Sequence, residues 1–190
     1  MPTIIEQDAP LAVTIVPAGS PHAPSIAAIY NHYITNTCIT FELDPVTPAE
    51  MEKRIADVQG IGLPWLVALE GEEVLGYAYA TQWRARKAYR SSVETTIYMA
   101  AEHCGRGHGR TLYTALLGTL QALDVHAVIG GVALPNEGSV RLHEALAFKK
   151  VAHFEQVGHK LGRWVDVAYW QRLLHSDAAA LKGEVVSQGA

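Results

Sequence analysis

Two neighbouring stretches hold the residue types that chemistry needs. The first is Gly105-Arg106-Gly107-His108-Gly109, followed by Arg110. Closely spaced glycines reach positive φ and let a ligand approach the backbone without Cβ interference. Leu112, Leu116, Leu120 and Leu123 follow at helical spacing. A loop that ends at a helix N-terminus turns free N–H groups outward at the positive end of the helix dipole, which suits a phosphate or pyrophosphate. Arg106 and Arg110 add charge of the right sign. A glycine-rich surface turn has the same composition, so the loop by itself leaves both readings open. A P-loop is excluded, because no Gly-x-x-x-x-Gly-Lys-[Ser/Thr] occurs. The spacing also differs from Gly-x-Gly-x-x-Gly, and no acidic residue closes a following strand, which argues against a dinucleotide fold.

The second stretch precedes the loop. Val93, Thr95, Ile97 and Met99 alternate with Glu94, Thr96 and Tyr98, a β-branched and aromatic run that reads as a strand. A carboxylate inside such a strand is costly unless it has a role or a partner. Desolvation would lift the Glu94 pKa towards that of a useful base. Pairing with Arg84, Arg86 or Arg90 is the structural alternative. Arg84 and Arg86 lie between Trp83 and Tyr89. Planar guanidinium groups grip planar or tetrahedral anions in bidentate fashion, although a solvated basic loop has the same composition. His143, seven residues after Asn136, is a lone histidine on a short helix, a setting that is usually structural. His103-x4-His108 and His153-x5-His159 lack convergent ligand spacing, so no metal is expected.

The elements that must position these residues follow from periodicity. Residues 11–16 alternate as a first strand, and Ile26, Ile29, Tyr30, Tyr33 and Ile34 mark an amphipathic helix. Thr47-Pro48-x-Glu50 predicts a capped helix running to about residue 59. Residues 65–69 and 74–82 form a hairpin across Glu70-Gly71-Glu72-Glu73, and a polar arginine-rich loop spans 83–90. The organising strand and helix come next, then a strand at 126–132, a short helix from Asn136 to Leu146, and strands near 149–155 and 160–169. The order β-α-α-β-β-β-α-β-α-β-β implies an α/β (α+β) fold: a mixed, mostly antiparallel sheet of about seven strands with helices on both faces. Residues 11–174 are expected to form one domain, with 1–10 and 175–190 as flexible tails.

Composition excludes several classes. The chain has 190 residues, is 49% hydrophobic and 18% charged, and carries a net charge of −4, so it is globular and has no basic footprint for nucleic acid. Two cysteines, Cys38 and Cys104, are too few for a disulfide scaffold. No apolar run approaches membrane-spanning length and no signal peptide is evident, so a cytoplasmic protein with no membrane partner is expected.

The Arg-x-Gly-x-Gly loop at a helix start resembles the acetyl-CoA loop of the GNAT acetyltransferase superfamily, as does the element order. Further segments resemble its phosphinothricin (methionine sulfoximine) N-acetyltransferase branch. They are Tyr30-Asn-His-Tyr33, Gly76-Tyr-Ala-Tyr79, Trp83-Arg-Ala-Arg86-x-x-Tyr89, Val93-Glu-Thr-Thr-x-Tyr98, Leu134-Pro-Asn136-x-x-Ser-Val-Arg-Leu-His-Glu144 and Gly162-x-Trp-x-Asp-Val167 with Trp170-Gln171. The resemblance implies transfer of an acetyl group from acetyl-CoA to the α-amino group of a small anionic amino acid, with no metal. It leaves room for another small amine, or for a non-catalytic acyl-CoA-binding module. It implies Glu94 as general base, with His143 at a general-acid position or in a proton relay with Glu94. It implies Arg84, Arg86, Tyr89 and Phe41 around the acceptor. Ile97, Tyr98 and Met99 would present backbone groups to the pantetheine, and the Met99 N–H would meet the oxyanion. Cys104, Gly105, Arg106, Gly107, His108, Gly109 and Arg110 would hold the pyrophosphate, and Asn136 the pantetheine arm. A homodimer is implied, with Trp164 or Trp170 as candidate interface residues. Two departures stand out: Cys104 replaces the usual Gln or Arg of the loop, and Ala147 replaces a helix-terminating glycine.

Overall fold

Which side of each strand faces a helix is decided by residue alternation, and the computed structural model shows the result for residues 12–175. The strands are β1 (Val13–Pro17), β2 (Trp65–Glu70), β3 (Glu73–Gln82), β4 (Ser92–Met99), β5 (Ala127–Leu134), β6 (Lys149–Lys160) and β7 (Arg163–Leu173). They form one seven-stranded sheet in the order β1-β2-β3-β4-β5-β7-β6. Every neighbouring pair is antiparallel except β4 and β5, whose parallel crossover runs through a helix.

Four α-helices cover the two faces: α1 (Ala23–Asn36), α2 (Pro48–Gly60), α3 (His108–Ala122) and α4 (Glu137–Ala145). Trp65, Val67, Tyr77 and Tyr98 pack with Ile26, Ile34, Met51 and Ile55 beneath α1 and α2. Leu66, Ala68, Leu75, Ala78, Val93 and Val128 pack with Leu112, Leu116 and Leu120 of α3 on the opposite face. At α2 the Thr47 hydroxyl accepts from the Glu50 N–H at 3.1 Å, and at α4 the Asn136 side chain accepts from the Ser139 N–H at 3.1 Å. Both caps stand where residue type places them.

The last hairpin departs from expectation. A break between β6 and β7 at residues 156–159 is expected, yet β6 continues to Lys160. Gln156 takes φ 50 inside a register irregularity, its N–H held by Asp166 Oδ1 at 2.9 Å. The reversal falls instead on Leu161 and Gly162, at φ 50 and φ 74, the positive pair that a tight hairpin turn needs. The first strand starts at Val13, with residue 11 outside the described residues, as are the expected tails apart from His175. No helix among the described residues is long and apolar enough to cross a membrane. Trp170 is 2% exposed within the core, so only Trp164, 62% exposed, is available to a partner.

Helix α4 ends in a Schellman motif. The Phe148 N–H donates to His143 O at 3.0 Å and the Ala147 N–H to Glu144 O at 3.0 Å, with Ala147 left-handed at φ 62. Alanine is strained there. Ala147→Gly should therefore stabilise the fold by about 1 kcal/mol, read as a rise in melting temperature of about 2–4 °C for a chain of this size. An unchanged or lower melting temperature would refute the strain.

Candidate active site

Strands β4 and β5 pair only from Ser92↔Ala127 to Thr95↔Gly130, and beyond that point they part. The Ala100 N–H donates to Leu75 O at 2.8 Å. Hydrogen-bonding direction alternates along a strand, so the main chain of Ile97 and Met99 turns away from β3 into the gap. On the other side the Leu174 N–H donates to His126 O at 2.9 Å, and the same alternation turns Gly131 and Ala133 into the gap. The cleft between these edges has a volume of about 640 Å³ and reaches Gly105, Gly107 and Gly109 on one side and Asn136, Gly138 and Ser139 on the other. From α1, the Tyr33 hydroxyl donates to Met99 O at 2.6 Å. Tyr98 corrects one expectation: it lines the cleft, but its main chain faces β3 opposite Tyr77 and its side chain lies in the aromatic core.

The glycine loop takes the conformation its composition requires. Gly105 and Gly107 have φ 76 and φ 88, and Gly107 is the N-cap of α3, whose first turn carries no side-chain cap. Gly109 differs: its φ is not positive, and a Cβ there would make ordinary contact with Met99 Cγ at 3.5 Å. Arg110 and Cys104 line the cleft, whereas Arg106 and His108 do not. The Cys104 thiol donates to Ala100 O at 3.6 Å and lies 3.8 Å from the Tyr33 hydroxyl. An uncapped helix start, a positive-φ glycine pair and a guanidinium suit a pyrophosphate.

Glu94 lies on the α1 face. A Cβ on Gly131 would lie 3.3 Å from Glu94 Oε1 and 3.1 Å from the Tyr169 ring. Gly131 also lines the cleft, so the carboxylate lies next to the cleft on this face, although Glu94 is not itself one of its lining residues. Burial raises the Glu94 pKa above the usual carboxylate range, and the positive charge of Arg84 offsets part of the rise. No salt bridge joins Glu94 to Arg84, Arg86 or Arg90 among the described residues. The Arg84 guanidinium stacks 4.1 Å from the Trp83 ring centroid and donates to Trp83 O at 3.0 Å. Trp83 and Phe154 meet the Tyr169 ring edge to face at 5.9 and 5.8 Å. Arg86 and Tyr89 are exposed on the turn at Lys87–Tyr89. Phe41 packs on Gly158, where a Cβ would collide with its ring. Gly158 pairs with Val165, on the same side of β7 as Tyr169, so Phe41 shares the face of Glu94.

His143 lies on the other face. It is 3% exposed, and a Cβ on Gly130 would collide with its ring. Ser139 O can only accept, so Nδ1–H donates to it at 2.8 Å and Nε2 accepts from the Tyr113 hydroxyl at 3.2 Å. Tyr113 in turn lies 2.7 Å from Thr95 Oγ1. Burial pulls the His143 pKa down, keeping the ring neutral. Gly130 and Gly131 point to opposite faces, so the sheet itself separates His143 from Glu94. That arrangement corrects the expected proton relay between them. The histidine pairs do not converge either: His103 bonds Glu73 at 2.9 Å and His153 bonds Asp166 at 2.8 Å. Glu73, Glu102 and His103 hold three donor atoms within 4.8 Å of one another, and of the three only His103 lines the cleft.

Tyr169, Gly131 and Thr96 are residues around the site that sequence reasoning passed over, while Tyr33, which it offered as an apolar wall or a core aromatic, lines the cleft. The Gly130-Gly131 doublet inside an apolar strand was a usable signal, because glycine there marks a close approach. Nothing local singles out Tyr169.

Residues 22–169 match the acetyltransferase (GNAT) domain family. The chain is 40% identical over 160 residues to a phosphinothricin N-acetyltransferase of Streptomyces coelicolor, covering 77% of this chain and 87% of that protein. It is 33% identical over 170 residues to the L-methionine sulfoximine/L-methionine sulfone acetyltransferase of Salmonella typhimurium, covering 88% and 98%. Among solved structures, the phosphinothricin acetyltransferase of Sinorhizobium meliloti in complex with acetyl-CoA superposes with a TM-score of 0.85 at 35% identity, covering 94% of this chain and 96% of that one.

A carboxyl pKa raised by burial means that the folded state holds its proton more tightly than the unfolded chain. The charged form is thus a cost above the unfolded pKa and no cost below it. Glu94→Gln should melt higher than the parent at pH 7, with the gain shrinking as pH falls towards the ordinary carboxylate range. Arg84→Ala should move the Glu94 titration, followed by carbon NMR of the carboxyl, to higher pH. A downward move would show that Arg84 does not act on this carboxylate.

Proposed function

We propose, for a chain that belongs to the GNAT acetyltransferase family and takes its acetyl group from acetyl-CoA, that the acceptor is the α-amino group of a small anionic amino acid. Phosphinothricin and methionine sulfoximine define the chemical class. The observation that carries this reading is the position of Gly131, which lines the donor cleft and leaves open the space beside Glu94 and Tyr169 that a Cβ would enter. The acceptor amine reaches Glu94 from the α1 face while the thioester enters through the parted strands. Attack is direct, with no acetyl-enzyme. Glu94 takes the ammonium proton, and its pKa, raised by burial, suits that task. The Met99 N–H, turned into the gap, is aimed where the oxyanion develops.

Arg84 and Arg86 supply the charge that receives the acceptor's carboxylate and acidic tail, with Tyr89 and Phe41 as walls. Gly105, Gly107, Gly109, Cys104 and Arg110 cradle the pyrophosphate, Arg106 and His108 add to its rim, and Ile97 and Asn136 bond the pantetheine. Tyr98 backs this edge from the core. His143 acts from the second face as a buried neutral hydrogen-bond partner, through Tyr113 and Thr95, at the point where the strands part. In this reading residues 11–174 form a single catalytic domain of a cytoplasmic protein; the one sheet and the family match over residues 22–169 support the single domain.

A thiol-release assay with acetyl-CoA tests it. Phosphinothricin and methionine sulfoximine should turn over, and spermidine and a lysine peptide should not. Glu94→Gln should lower kcat by about 10²–10⁴-fold, the usual worth of a general base. Turnover on spermidine alone would keep the donor site and remove the arginine clamp.

We also propose a homodimer through the β6–β7 hairpin, whose Val151, Phe154, Val157, Leu161 and Trp164 are all more than half exposed. Apolar side chains gathered on one edge favour association. Sedimentation should give twice the chain mass, and Trp164→Glu should shift it to monomer; a monomeric parent refutes the interface.

A further inference from the structure

Lys160 is 3% exposed, and burying an ammonium is expensive unless its hydrogen bonds do something the fold or the site needs. Its Nζ donates to Thr40 O at 2.8 Å. Thr40 belongs to the segment joining α1 to α2, and the next residue is Phe41, packed over Gly158. The same segment is held twice more from the β6–β7 hairpin. The Cys38 thiol donates to Lys160 O at 3.6 Å, and Arg163 Nε donates to Cys38 Sγ at 3.2 Å. From the helix side, the Tyr30 hydroxyl meets Thr40 Oγ1 at 2.9 Å and donates to Glu42 Oε1 at 2.9 Å. Arg54 grips the Glu42 carboxylate bidentately at 2.7 and 3.1 Å. Residues 38–42 are thus a strap stretched between two halves of the molecule across the face that carries Glu94. Its one half-exposed member, Phe41, rests where β6 is irregular and where a glycine leaves room for the ring.

We propose that Lys160 is a positioning residue for the acceptor: by holding the Thr40 carbonyl it fixes Phe41 as a wall of the Glu94 basin. It rests on the reading of Phe41 as an acceptor contact. The ammonium reaches a carbonyl that no main-chain donor of the sheet meets, and it does so from the hairpin whose far edge is solvent. Ile39 of the same segment lines the donor cleft, but its N–H is held by Thr37 Oγ1 at 3.1 Å, so loosening the Lys160 bond frees the tip at Phe41 and leaves that cleft contact in place.

The test is steady-state kinetics on the full chain with both substrates varied. Lys160→Met should raise the acceptor KM about tenfold, a size reasonable for a wall displaced by less than an ångström, with the acetyl-CoA KM unchanged. Lys160→Arg, which keeps the charge and a donor, should recover most of the loss. Phe41→Ala should raise the acceptor KM by a similar factor, and the double variant Lys160→Met/Phe41→Ala should be no worse than the larger single effect. Arg163→Gln, at the surface, gives the same acceptor-specific rise without altering the buried lysine and serves if Lys160→Met folds poorly. If Phe41→Ala raises the acceptor KM but Lys160→Met and Arg163→Gln do not, the strap is refuted and the pocket reading stands. If Phe41→Ala leaves the acceptor KM unchanged, the pocket reading fails and the strap falls with it. A parallel rise in both KM values would mark a general structural defect and likewise overturn it.

Discussion

A main chain that leaves its neighbour inside a sheet must find hydrogen bonds elsewhere, and the parting of β4 and β5 imposes that demand at the centre of this protein. Thr95 and Gly130 are the last paired residues of the two strands. The buried chain Thr95–Tyr113–His143 begins at that fork, and the His143 ring fills the space a side chain at Gly130 would need. Aromatic packing of His143 on Phe148 and Trp170 then seats α4 against the sheet. The fork is held open by filled volume and satisfied polar groups, which is why the free edges persist without a strand between them. In the proposed reading an extended pantetheine supplies the missing partner, as an added strand would.

The fork also sorts the chemistry by face. Alternation sends Glu94 and Gly131 to the α1 side and Thr95 and Gly130 to the α3 side, so a neutral histidine and a charged carboxylate separated by one residue on each strand never meet. Gly131 and Thr96 line the cleft on the α1 face, beside the half-buried Glu94 and the Tyr169 ring. In the proposed reading a ligand in the gap presents its end to that face.

Legibility from sequence follows the range of the interaction that decides each feature. The Thr47 and Asn136 caps, the α3 leucines and the positive φ of Gly105 and Gly107 are set within a few residues, and each was readable. The β6–β7 turn was misplaced because Gln156 takes positive φ to satisfy Asp166, a contact ten residues away that residue type does not announce. Trp164 and Trp170 are the same residue type on the same side of one strand, and only distance along it distinguishes them: Trp164 stands beside the hairpin turn and Trp170 lies over the core. His143 was the hardest. Its spacing from Asn136 fixes its place on α4, but which face of the sheet it meets depends on the register of β5 with β4, a tertiary quantity.

Proton transfer ties these features together. The α-ammonium of a peptide terminus has a pKa of about 7.7–8.0, that of a free amino acid lies higher because of its own carboxylate, and an ordinary glutamate has about 4.3. Moving the proton is therefore uphill by at least roughly 4–5 kcal/mol at about 1.4 kcal/mol per unit. Every increment of burial at Glu94 narrows that gap, and every increment of charge from Arg84 widens it again. Arg84 nevertheless belongs beside the site, because the anionic end of the acceptor must be received somewhere. The stacking of its guanidinium on Trp83, with one donor spent on Trp83 O, keeps it near the carboxylate without forming an ion pair. A direct pair would pull the Glu94 pKa down, against the base role proposed for it. In that reading the Trp83 ring is what lets a clamp and a base occupy adjoining positions.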